Sequence, residues 1–206
     1  MKINVVALAV LSLAASAASA ESLVEGDAEA GRVKSVVCGA CHGADGNSVN
    51  PEWPSLAGQH AKYSYEQLMA FKGGDRANVL MSGQAMALSE EDMRNLAVYF
   101  EGQAAAAKSV ADPALVSKGE QIYRGGISEK NVAACIACHG PAGKGNAAAP
   151  YPDVAGQYAV YAAKQLRDYA SGERKSGGPT RIMQDIASRL TEEEILAVSS
   201  YLQGLH

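Results

Sequence analysis

Cysteine occurs four times in the 206-residue chain, and all four are spent on one pattern used twice. The first copy is VVCGACHGADGNS, with Cys38, Cys41 and His42, and the second is AACIACHGPAGKGN, with Cys135, Cys138 and His139. Two thiols about one helical turn apart can each add to a vinyl group of a porphyrin, and the next histidine can then present its imidazole to the iron. Cys-x-x-Cys-His is for that reason the attachment signature of a c-type haem. Two copies imply two covalently bound haem c groups, one on Cys38 and Cys41 with His42 on the iron, the other on Cys135 and Cys138 with His139. A bare Cys-x-x-Cys would also suit a thioredoxin-like redox motif or half of a zinc site. Neither of those requires a histidine directly after the second cysteine, let alone twice.

The sixth iron ligand separates an electron carrier from an enzyme. A methionine thioether closes the iron to substrates and raises its reduction potential, whereas an open position permits peroxide or oxygen chemistry. Beyond Met1 the candidates are Met69, Met81, Met86, Met93 and Met183. Met183 alone follows the second motif, and it stands eight residues before Thr191. Eight residues before the matching Ser89 lies Met81, so the repeat selects Met81 and Met183 as metal ligands, with Met86 as the alternative to Met81. Met69 and Met93 sit at apolar helical positions and read as core filling. His60 faces Tyr158 in the repeat and His206 ends the chain, so both read as ordinary histidines.

These residues must be positioned by two copies of one module. Cys38 and Cys135 are 97 apart, and beyond the motifs an offset of 98 pairs Pro54-Ser-Leu-Ala-Gly-Gln59 with Pro152-Asp-Val-Ala-Gly-Gln157. It also pairs Tyr63 with Tyr161, Gln67-Leu68 with Gln165-Leu166, Phe71 with Tyr169, and Gly74-Asp75-Arg76 with Gly172-Glu173-Arg174. Further on, an offset of 102 pairs Leu88-Ser89 with Leu190-Thr191, Tyr99 with Tyr201 and Gly102 with Gly204. The expected organisation is a leader at 1–20, one module at 21–103, a linker at 104–113 and a second module at 114–206.

Each module reads as helical. Ser89 and Thr191 are capping hydroxyls followed by acids in the first turn. Met93, Leu96, Ala97 and Phe100 then recur at helical spacing before Gly102, and Ile195, Val198 and Leu202 do so before Gly204. AKYSYEQLMAFKGG and VYAAKQLRDYASGE form a middle helix in each copy. A shorter helix precedes each haem motif, and its glycine, Gly31 or Gly119, permits a close crossing near Tyr99 or Tyr201. Two Phe and one Trp are few for two interiors, which suits cores completed by porphyrin.

Lys2, the apolar run VVALAVLSLAA and the small-residue ending Ala18-Ser19-Ala20 read as a cleaved secretory signal, so a periplasmic location is expected with Glu21 as the mature start. The mature chain holds 17 basic against 22 acidic residues, which disfavours nucleic acid as a partner. The charge is uneven: residues 21–103 carry six basic and twelve acidic residues, residues 104–206 eleven and ten. Since a negative field opposes reduction, the second haem is expected to be the easier to reduce.

Tandem Cys-x-x-Cys-His modules, each with Pro-x-x-x-Gly-Gln and a Met eight residues before a helix cap, resemble the dihaem cytochrome c4 family over residues 21–206. The resemblance implies an all-α fold of two class I cytochrome c domains, each wrapped around a covalently bound haem, facing one another with haem propionates near the interface. It implies a periplasmic electron carrier rather than an enzyme, often loosely membrane-associated, passing electrons between respiratory complexes and a terminal oxidase or reductase. Pro54 and Pro152 resemble in position the proline whose carbonyl orients the ligand histidine in small cytochromes c. A haem subunit of a flavin dehydrogenase, such as that of flavocytochrome c sulfide dehydrogenase, is similar in fold and is the alternative; a dihaem peroxidase would need an open iron.

Overall fold

The computed structural model describes residues 22–174 and 180–206; the expected leader at 1–20 and Glu21 lie outside the described residues. The first half contains helices α1 (Ala28–Lys34), α2 (Gly39–His42), α3 (Ala61–Gly73), α4 (Val79–Met86) and α5 (Glu90–Glu101). The second repeats them as α6 (Val116–Gly125), α7 (Ile136–His139), α8 (Ala159–Ser171), α9 (Thr180–Ala187) and α10 (Glu192–Gln203). The fold is all-α; among the described residues, extended pairing is limited to isolated bridges.

Both long terminal helices start as expected. Ser89 Oγ accepts from Asp92 N–H while the Asp92 carboxylate accepts from Ser89 N–H, and Thr191 and Glu194 repeat this reciprocal cap. Caps of this kind contribute about 1 kcal/mol each. From these starts Met93, Leu96, Ala97 and Phe100 turn one buried stripe inward, and Ile195, Val198 and Leu202 do the same in α10. Met69, by contrast, is exposed, so the expectation that it fills the core is wrong. Its neighbours Ala70 and Phe71 carry the buried face of α3 instead.

In each half the terminal helix is the packing centre. Helix α5 receives α1 and α3, and α10 receives α6 and α8. The crossings with α1 and α6 are glycine-dependent, as the sequence suggested. A Cβ on Gly31 would lie 2.1 Å from the Asn95 carbonyl oxygen and 2.8 Å from Tyr99 Cβ. On Gly119 it would lie 2.2 Å from the Ala197 carbonyl oxygen and 2.7 Å from Tyr201 Cβ. Because backbone, not a movable side chain, is in the way, Gly119→Ala should cost about 2–3 kcal/mol. Thermal unfolding of the second module in the haem-loaded protein should then fall by roughly 10–20 °C. Gly83→Ala, where nothing lies within 4 Å, is the matched control and should leave the midpoint unchanged or slightly higher.

The segment joining the halves is pinned along its length. Asn47 holds Ala104 and Ala106, Gln203 Nε2 donates to the Ser109 carbonyl, and Asp112 and Ser200 bond reciprocally. Val110 packs so closely on Gly204 that a Cβ there would lie 2.3 Å from its side chain. The connection is thus an ordered strap rather than a loose tether.

Candidate haem sites and the interface between them

The first motif forms a single helical turn, in which the His42 amide donates to the Cys38 carbonyl at 2.9 Å; His139 and Cys135 repeat it at 2.9 Å. The turn places both thiols and the imidazole of each motif on one short stretch of backbone; none of the four cysteines is in a disulfide, and all are partly buried. Burial pushes the Cys38 thiol up and the Cys135 thiol up to about 11. A redox Cys-x-x-Cys works by the opposite shift, a stabilised thiolate.

Each imidazole is held in one tautomer. His42 Nδ1 lies 2.8 Å from the Pro54 carbonyl oxygen and His139 Nδ1 lies 3.0 Å from that of Pro152. A carbonyl only accepts, so Nδ1 carries the proton and Nε2 keeps its lone pair for a metal. Burial lowers both imidazole pKa values, with the proline carbonyls, and Asp153 near His139, acting in the opposite sense. The two prolines thus occupy the orienting position expected from the sequence.

Met81 is the third residue of α4, where the Asn78 side chain caps the helix by accepting from the Met81 amide at 2.9 Å. It packs half-buried on the cluster of Phe71, Ala85, Leu88, Met93, Leu96 and Phe100, which Cys38 and Leu68 also touch. Met86, at the far end of α4, is 62% exposed. Met183 lies half-buried on α9, and Cys135 packs on the second cluster, built around Ile122, Tyr123, Val198 and Tyr201.

Polar residues that the repeat also preserves turn out to lie between the modules. The backbones of Arg76 and Arg174 pair in an antiparallel bridge, and each guanidinium crosses to the other half. Arg76 donates to Gln67, Gln165 and Tyr161, and Arg174 donates to Gln165, Gln67 and Tyr63. Each guanidinium stacks on an aromatic ring of its own module, Phe71 or Tyr169, at 4.5 Å. Both are nearly inaccessible, at 8% and 4% exposure, and Arg174 Nε has no hydrogen-bond partner. Among the described residues neither forms an ion pair with a carboxylate. Two like charges removed from water cost several kcal/mol each unless an anion compensates. Haem c brings propionate carboxylates, so the arginine pair, the thiol pairs and the carbonyl-held imidazoles all fit two such groups. Sequence reasoning missed the arginines, tyrosines and glutamines. The available signal was a polar set kept at a constant offset of 98 with no ligating role, as a two-fold contact within one chain demands.

The family model for cytochrome c matches this chain twice, over residues 30–103 and 116–206. Cytochrome c4 of Pseudomonas aeruginosa is 48% identical over 181 residues, covering 88% of this chain and 90% of that protein. The crystal structure of reduced recombinant cytochrome c4 from Pseudomonas stutzeri superposes with a TM-score of 0.85 at 44% identity, covering 88% of this chain and 100% of that one. A thiosulfate dehydrogenase electron acceptor from Stutzerimonas stutzeri is 36% identical over 204 residues, 97% of this chain and 92% of that protein. One family model fitted twice in tandem, over halves that fold alike, means that the chain belongs to the cytochrome c4 family: it is a dihaem electron-transfer protein with two covalently bound haem c groups.

Proposed function

We propose that the protein is a periplasmic electron carrier, not an enzyme, in which His42 and Met81 ligate one iron and His139 and Met183 the other. The observation that carries this reading is the position of Met81, packed on the cluster that Cys38 also touches, while Met86 stands at the surface. When bound, haem c would supply reversible one-electron chemistry. Cys38, Cys41, Cys135 and Cys138 hold the groups covalently. Pro54 and Pro152 fix the imidazole planes through Nδ1, and Arg76 and Arg174 would hold propionates. Phe71, Met93, Leu96 and Phe100 exclude water from the first interior, and Tyr123, Val198 and Tyr201 from the second.

The amino-terminal leader supports export, and no helix among the described residues is long and apolar enough to cross a membrane. Loose, peripheral contact with a membrane belongs to the same reading, as the family resemblance implies. The donor on this reading is a respiratory complex and the acceptor a terminal oxidase or reductase. The relative described as a thiosulfate dehydrogenase electron acceptor favours a second reading, in which a dehydrogenase of reduced sulfur compounds is the donor. That reading shares its dependence on a partner chain with the flavin dehydrogenase alternative.

Ligand access tests the carrier reading. The fully reduced protein should keep its spectrum under carbon monoxide at both haems, because neither iron offers a free position. A carbonyl complex at either haem in the native protein would overturn the reading in favour of an enzyme.

A further inference from the structure

The Pro-x-x-x-Gly-Gln repeat ends in a glutamine whose side chain hydrogen-bonds across the boundary between the modules. Gln157, in the second module, accepts from the Ser55 amide through Oε1 at 3.0 Å and donates from Nε2 to the Ser55 carbonyl at 3.0 Å. Ser55 follows Pro54, whose carbonyl holds His42 Nδ1. The mirror set is complete. Gln59, in the first module, accepts from the Asp153 amide at 3.0 Å and donates to the Asp153 carbonyl at 2.8 Å. Asp153 follows Pro152, whose carbonyl holds His139 Nδ1.

Each primary amide therefore grips both backbone groups of one residue across the boundary, as a strand neighbour would. Each Oε1 also accepts from the next amide of its own chain segment, His60 at 3.0 Å and Tyr158 at 3.1 Å, so the side chain cannot swing freely. Lys108 reinforces the first site by donating to the Gly156 carbonyl at 2.7 Å and to Ser55 Oγ at 3.3 Å. Fixing the peptide after the proline limits how far the proline carbonyl can move from the imidazole.

We infer that Gln157 and Gln59 are positioning residues that work across the interface: Gln157 sets the hydrogen bond to His42, and Gln59 sets the hydrogen bond to His139, so each module tunes the other's haem. The inference rests on the reading that both histidines ligate iron. A stronger Nδ1–H···O bond makes the imidazole more basic and favours oxidised iron. Loosening the carbonyl weakens that bond and shifts the haem towards reduction.

The test is a redox titration of the intact holoprotein followed by NMR, with each haem assigned separately. Gln157→Ala should raise the reduction constant of the first haem about threefold, or about 28 mV at 59 mV per tenfold, with a smaller change at the second. Gln59→Ala should do the reverse. Exchange of the His42 Nδ1 proton into heavy water should quicken in Gln157→Ala, and that of His139 in Gln59→Ala. His60→Ala is the control, since it removes only the cross-module contact from Nε2 to the Lys144 carbonyl at 2.7 Å. It should move neither potential in the crossed pattern. A general loosening of the interface would shift both haems alike in every variant, and that outcome overturns the inference. So does a shift confined to the substituted module, or no shift at all. Failure of the ligand reading is separately visible, because the wild-type Nδ1 protons would then lack the ring-current displacement of an iron-bound imidazole.

Discussion

Replacing Cys38 and Cys41 together by alanine leaves one covalent haem per chain, and the loss is confined to the first module. The expectation follows from thioether chemistry: the porphyrin is joined only through cysteine sulfur, and Cys135, of the second pair, packs on a separate core. Acid denaturation followed by mass measurement should show two haems on the native chain and one on the variant. The first module should also lose stability. Its buried apolar cluster comprises Phe71, Ala85, Leu88, Met93, Leu96 and Phe100, a small interior for a unit of this size. Unfolding should therefore split into two transitions, the earlier one from the altered half, although the arginine and glutamine contacts tie the modules together. Extraction of haem from the native protein by acidic organic solvent would show that attachment is not through these thiols.

How much of this was legible in the residues depends on the kind of constraint. The haem motifs were readable because covalent chemistry fixes both residue types and spacing. Gly31 and Gly119 were readable because a helix crossing that leaves about 2 Å for a Cβ tolerates nothing else. The caps at Ser89 and Thr191 were readable because the acids that close them lie three residues away. Gln59, Gln157, Arg76 and Arg174 stand out in the sequence only as repeat matches, because their function is not local. It exists only once two copies face each other, and the partner of Gln59 lies 94 residues further along. Met69 failed for a related reason. Helical periodicity specifies a face, and only the packed neighbours decide whether a residue at its edge is covered.

Met81→Ala has the other large expected effect, and it distinguishes two methionines five residues apart. The argument from the repeat is arithmetic: Met183 stands eight residues before Thr191, and Met81 eight before Ser89. Helix geometry adds an independent reason. Residues five apart on an α-helix are separated by about 500° of rotation, at 3.6 residues per turn, and so face substantially different directions. Only one of the two can face the interior that Cys38 shares. Met81 packs on that cluster and Met86 is 62% exposed. Asn78 strengthens the distinction, since its cap holds the Met81 amide and so sets where α4 begins. The oxidised protein should show the weak near-infrared sulfur-to-iron band, and Met81→Ala should remove about half of it, because one of two thioethers is lost. The first haem should then become high-spin or take up an exogenous ligand, and its reduction potential should fall, since the thioether favours reduced iron. Met86→Ala should leave band, spin state and potential unchanged. Loss of about half the band in Met86→Ala, with the full band retained in Met81→Ala, would reverse the assignment. It would also mean that the first module seats its α4 helix more than one turn away from the equivalent position in the second.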